Sequence, residues 1–119
     1  MTDRAPAPSR LLVRLGPDRW RAVDFADIYL IEAAGDDSRI RLRSRDVLED
    51  VRRLAELEEI FAPAGFVRIH RSYLVNPARI LELRRRDGAD GYEVVLEPPV
   101  NRVLPVSEDR VGELRARFR

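Results

Sequence analysis

Short segments in which apolar and polar residues alternate make up most of the chain. A period of two places successive side chains on opposite faces of an extended chain, so these segments predict strands. Turn residues separate the segments, as at Gly16-Pro17-Asp18. Strands are predicted over residues 11–15, 20–23, 27–35, 39–43, 66–71, 79–86, 92–97 and 100–106. Their spacing of about 8–12 residues is typical of a mainly β domain.

One longer segment follows helical spacing instead, with apolar residues three and four positions apart. We predict a helix from Arg45 to about Phe61. Ser44 is placed to cap it, because a serine side chain accepts a hydrogen bond from the free N–H groups of the first turn. Pro63 and Gly65 are predicted to end it.

The end of the chain, SEDRVGELRARF, predicts a second, short helix. Ser107 is placed to cap it, and Glu108 and Asp109 fill the first turn, near the positive end of the helix dipole. Val111 and Leu114 would form its apolar face. The pattern as a whole therefore predicts strands with one or two short helices.

The length of 119 residues corresponds to one domain. Residues 1–9, with two prolines among small residues, are predicted to form a flexible tail or the stub of a linker, which leaves 10–119 as the folded domain. No window approaches the run of about 18 apolar residues that spans a bilayer, so no membrane partner is expected. The absence of cysteine suits the reducing cytoplasm, which is the expected location.

The charge is unevenly distributed, although the net charge is only +1. All 22 basic residues are arginine, whose planar fork suits phosphate oxygens and guanine edges. The segment 66–86 contains six arginines and one acid, whereas the segment 45–59 contains six acids and three arginines. We therefore expect a positive and a negative region, as in a protein that docks one face on a polyanion.

The residues exclude most catalytic and metal-binding classes. One histidine without cysteine cannot supply the usual ligands of a zinc site, and no glycine-rich phosphate loop occurs. His70 and Ser72 would lie about 6.6 Å apart along a strand, too far for the hydrogen bond that activates a serine. We expect no enzyme activity, no cofactor, no metal and no small-molecule substrate.

The segment GFVRIHRSYLVNP, residues 65–77, has the most distinctive chemistry. Val67 and Ile69 would point to the core and Arg68 and His70 outward, where a strand end displays donors for phosphate oxygens or base edges. The alternative is that these are solvated polar residues of an exposed strand, and composition alone favours that alternative.

The order of motifs along the chain favours the first of the two interpretations. FVRIHRSYLVNPARI follows a helix and precedes two further strands that end in LPVSEDR, and DIYLIEAAG comes earlier. This arrangement, from about residue 10 to the end, resembles the LytTR DNA-binding domain of bacterial response regulators. The resemblance implies about ten short strands in small stacked antiparallel sheets with one or two short helices. It also implies a domain that binds double-stranded DNA through loops in successive major grooves, usually at direct repeats, with a homodimer on DNA as the assembly to test.

Carried over position by position, the resemblance points to three DNA-contacting loops. The turn around residues 37–39 corresponds to the first, the end of the HRS motif to the second, and the segment after residue 106 to the third. The candidate contact residues are Ser38, Arg39, Arg68, His70, Arg71, Ser72, Ser107 and Arg110.

The third loop departs from the family pattern. Members commonly place a basic residue directly after the serine, but here Glu108 and Asp109 follow. A carboxylate near a phosphate is repulsive unless it accepts from a cytosine amino group. The alternative is therefore a LytTR-like protein-interaction module with weakened or lost DNA binding.

Overall fold

The computed structural model describes residues 9–88 and 90–118. Ten strands are found among these residues: β1 (Arg10–Gly16), β2 (Arg19–Asp24), β3 (Ile28–Ala34), β4 (Asp37–Leu42), β5 (Val47–Asp50), β6 (Val67–His70), β7 (Tyr73–Val75), β8 (Ile80–Arg85), β9 (Tyr92–Leu96) and β10 (Val103–Val106). Two α-helices, α1 (Leu54–Phe61) and α2 (Val111–Arg115), complete the fold together with short 3-10 turns. The predicted mainly β class is confirmed.

The strands form three antiparallel sheets. The central sheet has five strands in the order β5-β4-β3-β7-β6, a second sheet has the order β10-β9-β8, and β1 and β2 form a separate hairpin. Short hairpin connections join most neighbouring strands, as expected for antiparallel pairing. No helix in the described part of the chain is long and apolar enough to cross a membrane.

The central sheet is covered on both faces, which explains why β3 is apolar along most of its length. One face packs against the β1–β2 hairpin and α1, in a core of Val13, Val23, Ile28, Ile31, Ile40, Leu57, Phe61 and Leu74. The other face packs against the three-stranded sheet and α2, in a core of Tyr29, Leu30, Val67, Ile69, Val94, Leu96, Leu104 and Leu114. Burial of these side chains on two faces holds the three layers together.

The predicted helix from Arg45 to Phe61 is wrong in its first half. Residues 47–50 form β5, which pairs with β4 so that Leu48 lies opposite Ile40. Val47 is exposed rather than on an apolar helix face. The four-residue stretch VLED fits an edge strand as well as a helical turn, and pairing with β4 decided the outcome.

The ends of the helix differ accordingly. Helix α1 begins after Arg53, which makes no side-chain cap hydrogen bond, so the predicted cap at Ser44 is wrong. Ser44 instead accepts a hydrogen bond from the Asp46 N–H at 3.3 Å, within a turn. The predicted end is confirmed, since Gly65 adopts a left-handed conformation with φ of 94° just beyond the 3-10 turn that contains Pro63.

Two turns also lie elsewhere than predicted. The predicted strand 66–71 ends at His70, and Arg71 and Ser72 form the turn to β7, a strand that the prediction missed. Strand β4 begins at Asp37, so the turn before it consists of Gly35, with φ of 64°, and Asp36.

The predicted tail, residues 1–9, lies outside the described residues except for Ser9. Ser9 itself accepts a hydrogen bond from the Phe25 N–H at 3.0 Å.

Candidate nucleic-acid interface

Three surface segments meet at one end of the central sheet. The β3–β4 and β6–β7 turns lie side by side, because the Ala33 N–H at the end of β3 donates to the Ser72 carbonyl at 2.9 Å. The segment 107–110 adjoins them, because the Ser107 N–H donates to the Ile69 carbonyl at 2.8 Å. We call these three segments (35–37, 70–72 and 107–110) the loop edge. Antiparallel pairing thus brings together turns that are far apart in sequence.

The His70 side chain is oriented by its own turn. Its Nδ1 atom accepts a hydrogen bond from the Ser72 backbone N–H at 3.1 Å, and its ring lies 5.3 Å from the Tyr73 ring. Burial lowers the pKa of His70 below its ordinary value of 6.5, and the positive charges of Arg71 and Arg68 lower it further. The imidazole is therefore neutral near pH 7 and carries its proton on Nε2, as a hydrogen-bond donor.

The hydrogen bond at Nδ1 also bears on catalysis. Its donor is the backbone N–H of Ser72 rather than the Ser72 hydroxyl. The geometry that would activate a serine nucleophile, a hydroxyl bonded to the imidazole, is not the one formed here. Among the described residues, no group of three or more His, Asp or Glu side chains could hold a metal ion.

Arg68 and Arg71 differ sharply in their surroundings. The Arg68 guanidinium donates from Nε to the His70 carbonyl at 2.8 Å, from Nη1 to Glu58 at 2.7 Å, and from Nη2 to the Arg71 carbonyl. Its side chain is only 14% exposed. Arg71 is exposed, and no carboxylate in the described part of the chain lies within 4.0 Å of its guanidinium. Arg68 thus ties the turn to α1, whereas Arg71 presents an unpaired charge at the loop edge.

Ser38 and Arg39 lie on β4, next to the first turn, and face opposite ways. Ser38 is fully buried, and its hydroxyl donates to the Arg52 carbonyl at 2.8 Å, so the structure gives it no surface for contact with DNA. Its predicted role is corrected to a structural one. Arg39 is half exposed, and its guanidinium lies 3.7 Å from Glu49 on β5, an ion pair that solvent weakens.

The buried carboxylate of Asp50 fixes the start of β4, next to the first turn. Asp50, which pairs with Ser38 across β4 and β5, accepts hydrogen bonds from the backbone N–H groups of Arg14 at 2.8 Å and Arg52 at 2.9 Å. The Arg52 guanidinium adds two more, at 2.9 and 2.8 Å. Burial alone would raise the pKa of the Asp50 carboxyl, but these hydrogen bonds and the charge of Arg52 outweigh it and lower that pKa.

The third segment begins with Ser107 in an extended conformation, but its hydroxyl makes no cap hydrogen bond. A 3-10 turn, Glu108–Arg110, precedes α2, and the Arg110 N–H donates to the Ser107 carbonyl at 2.8 Å. Glu108 and Asp109 are exposed at the surface. The acids noted in the sequence are therefore part of the loop edge.

Glu58 is the residue of this site that the sequence analysis missed. Its carboxylate lies 2.7 Å from the Arg68 guanidinium and 3.9 Å from that of Arg110. It therefore links α1 to both the second and the third segments. Only the opposite charges of the segments 45–59 and 66–86 could have indicated such a contact.

Comparison with known proteins shows which family this small β domain belongs to. A model of the LytTr DNA-binding domain family matches residues 18–119. The chain therefore belongs to the LytTR family of DNA-binding domains, the family that its motifs resemble.

Two curated relatives and one solved structure agree with this assignment. The CO-responsive transcriptional regulator RcoM of Rhodospirillum rubrum is 33% identical over 113 residues, which cover 92% of this chain and 47% of the relative. The sensory transduction protein LytT of Oceanobacillus iheyensis is 33% identical over 105 residues, which cover 87% of this chain and 42% of the relative. The chain spans less than half the length of each. A solved LytTr DNA-binding domain from Bacillus cereus shares the fold, with a TM-score of 0.71 and 21% sequence identity. The match covers 93% of this chain and 97% of the solved one.

Proposed function

We propose that this domain binds double-stranded DNA sequence-specifically, in the cytoplasm of a bacterium, as part of transcription regulation. The loop edge is the contact surface, and its segments enter successive major grooves. The observation that carries the proposal is the arrangement of two side chains on the second segment, residues 70–72. There Arg71 is exposed, with no carboxylate of the described residues within 4.0 Å, and it follows His70, whose Nδ1 accepts the Ser72 N–H and so leaves Nε2 as the donor of the neutral ring.

The two side chains offer different contacts. The guanidinium fork of Arg71 can donate two hydrogen bonds to the O6 and N7 acceptors of guanine or to a phosphate. His70 can donate one hydrogen bond from Nε2 to a base acceptor or a phosphate oxygen. Ser72 and Ser107 supply hydroxyl groups on either side, and Arg39 lies beyond the first turn.

Arg68 and Arg110 take indirect parts in this proposal. Both guanidinium groups face Glu58, which offsets their charge. Arg68 positions the turn that carries His70 and Arg71, and Arg110 orients the third segment. This division leaves few free cations at the loop edge and agrees with the modest net charge of +1.

Selection of bound oligonucleotides from a random pool tests the proposal and reports the site together. We expect a defined motif, present as direct repeats if two copies bind side by side as a homodimer. Affinity should fall with salt, with a slope near −0.9 for each neutralised phosphate. Recovery of no enriched motif and no salt-dependent retention would favour the alternative, a protein-interaction module with lost DNA binding.

A further inference from the structure

The end of the β8–β9 hairpin lies beside the third segment of the loop edge. Val106 at the end of β10 pairs with Tyr92 on β9, and Tyr92 pairs with Arg85 on β8. Since neighbouring strands are about 4.8 Å apart, Arg85 lies about 10 Å from Val106. Arg85, Arg86 and Glu108 also line one surface depression. The hairpin therefore extends the row of three segments by a fourth.

The Tyr92 ring orients arginines at this end of the hairpin. The guanidinium carbons of Arg85 and Arg115 lie 5.4 and 5.5 Å from the ring centroid, which places a cation over the aromatic ring from β8 and another from α2. Arg115 also donates from Nη2 to the Tyr92 hydroxyl at 3.4 Å. Stacking on an aromatic ring restrains a long side chain while its outward N–H groups stay available.

Arg85 and Arg86 form no ion pair with any of the described residues. Both side chains are exposed, and no carboxylate in the described ranges lies within 4.0 Å of either guanidinium. The neighbouring Arg84 differs, because its guanidinium contacts Glu93 at 2.8 Å and Glu82 at 3.9 Å. Strand alternation thus places a paired and an unpaired arginine on opposite faces of β8.

We propose that Arg85 and Arg86 bind backbone phosphates of the duplex, as a fourth contact next to the third segment. This inference rests on the proposed function. Glu108 and Asp109 make the third segment itself repulsive to phosphate, and the hairpin supplies positive charge at the same end of the row. Asp90 and Glu108 line the depression as well, so the contact is made by the two exposed guanidinium groups rather than by a uniformly basic surface.

Phosphates, rather than bases, are the ligand that this geometry favours. The guanidinium fork matches two phosphate oxygens, and Tyr92 holds Arg85 at the surface of the sheet rather than on a protruding loop. Contacts to phosphates position a protein on the duplex but carry no sequence information directly. Their loss should therefore weaken binding to every duplex equally.

The test compares the double variant Arg85→Gln/Arg86→Gln with the control Arg84→Gln. Dissociation constants are measured over a salt series on the selected duplex and on an unrelated duplex. We expect the double variant to reduce the magnitude of the log–log salt slope by about 1.8, from two phosphates at about 0.9 each, on both duplexes. Arg84→Gln should leave the slope unchanged, and Arg85→Lys/Arg86→Lys should keep most of it.

Each other outcome is decisive. An unchanged slope in the double variant overturns this inference, and the proposed function still stands if Arg71→Ala weakens binding in the same assay. A loss confined to the selected duplex overturns the assignment to phosphates. A parent protein that binds no duplex overturns both. Thermal unfolding verifies that each variant is folded. If the double glutamine variant is not, the single variants Arg85→Gln and Arg86→Gln carry the test, each with an expected reduction of the slope by about 0.9.

Discussion

The backbone N–H of Ser72 donates to the Nδ1 atom of His70 at 3.1 Å. This contact places the imidazole proton on Nε2 and ties the orientation of the ring to the turn between β6 and β7. Because protonation of Nδ1 breaks the contact, the charge of His70 and the shape of the turn are coupled.

The first prediction concerns the titration of His70. Its pKa in the folded protein is lowered by burial and by Arg71 and Arg68, so folding favours the neutral ring. The stabilisation is fully present above the ordinary value of 6.5 and is lost as pH falls through the lower folded value. We expect the imidazole resonances to titrate below 6.5 in an NMR pH series and the Ser72 amide to shift with them. A midpoint at or above 6.5 would contradict this.

The second prediction separates the roles of Arg68 and Arg71. Arg71→Ala should weaken binding to the selected duplex by about 1–3 kcal/mol if Arg71 contacts a base, with an unchanged melting temperature. Arg68→Ala should lower both stability and binding, because it removes the donor to Glu58 and to two carbonyl groups of the turn. Gel shifts and thermal unfolding provide the two measurements.

Arg43 offers a matched control for this pair. It is an exposed arginine just beyond the opposite end of β4, and Arg43→Ala removes the same charge. It should leave affinity for the selected duplex nearly unchanged. Equal losses of affinity in Arg43→Ala and Arg71→Ala would mean that net charge, not the loop edge, governs binding.

The third prediction is that Glu58→Gln destabilises the domain by about 1 kcal/mol, since it removes the negative charge that faces Arg68 and, at longer range, Arg110 in a partly exposed position. Glu59→Gln is the matched control, because Glu59 is exposed and no arginine in the described residues lies within 4.0 Å of it. Urea unfolding of both variants gives the difference. Identical unfolding midpoints for the two variants would show that the link from α1 to the loop edge contributes nothing to stability.

The fourth prediction concerns the buried carboxylate of Asp50. Removing one partner of a buried ion pair costs about 3–5 kcal/mol, so Asp50→Ala should destabilise strongly, whereas Glu49→Ala next to it should change little. Asp50 is fully buried, and the Glu49 side chain is 71% exposed. Chemical unfolding of the two variants provides the comparison.

The same carboxylate predicts a pH dependence. Because the folded-state pKa of Asp50 is lowered, its contribution to stability is present above the ordinary value of 3.8 and is lost as pH falls through the lower folded value. Asp50→Asn should therefore lose less stability than the parent between about pH 4 and the acid unfolding region. A parallel loss in both proteins would assign the acid sensitivity to other groups, such as Glu32, whose pKa is also lowered.

The strands were predictable wherever alternation, or in β3 an unbroken apolar run, extended over several residues. β3, β8 and β9 lie within a residue or so of their predicted bounds, and Val67 and Ile69 are buried as predicted. The prediction failed for β5, where four residues fit either periodicity, and for β7, whose three residues are too few to show one. Short elements depend on the partner strand that they pair with, and that partner is not visible in a local pattern.

Some features of the candidate site were likewise predictable from the sequence, and others were not. The sequence by itself determined the family, the mainly β class and the surface position of Arg71, because these follow from motifs and alternation among near neighbours. Only the tertiary structure decided that Ser38 is buried and bonded to the Arg52 carbonyl, that Arg68 is held by Glu58, and that Arg85 and Arg86 lie next to the third segment. Those contacts join residues on different elements, and hydrogen bonds and ion pairs depend on distances that only the folding of the sheets sets.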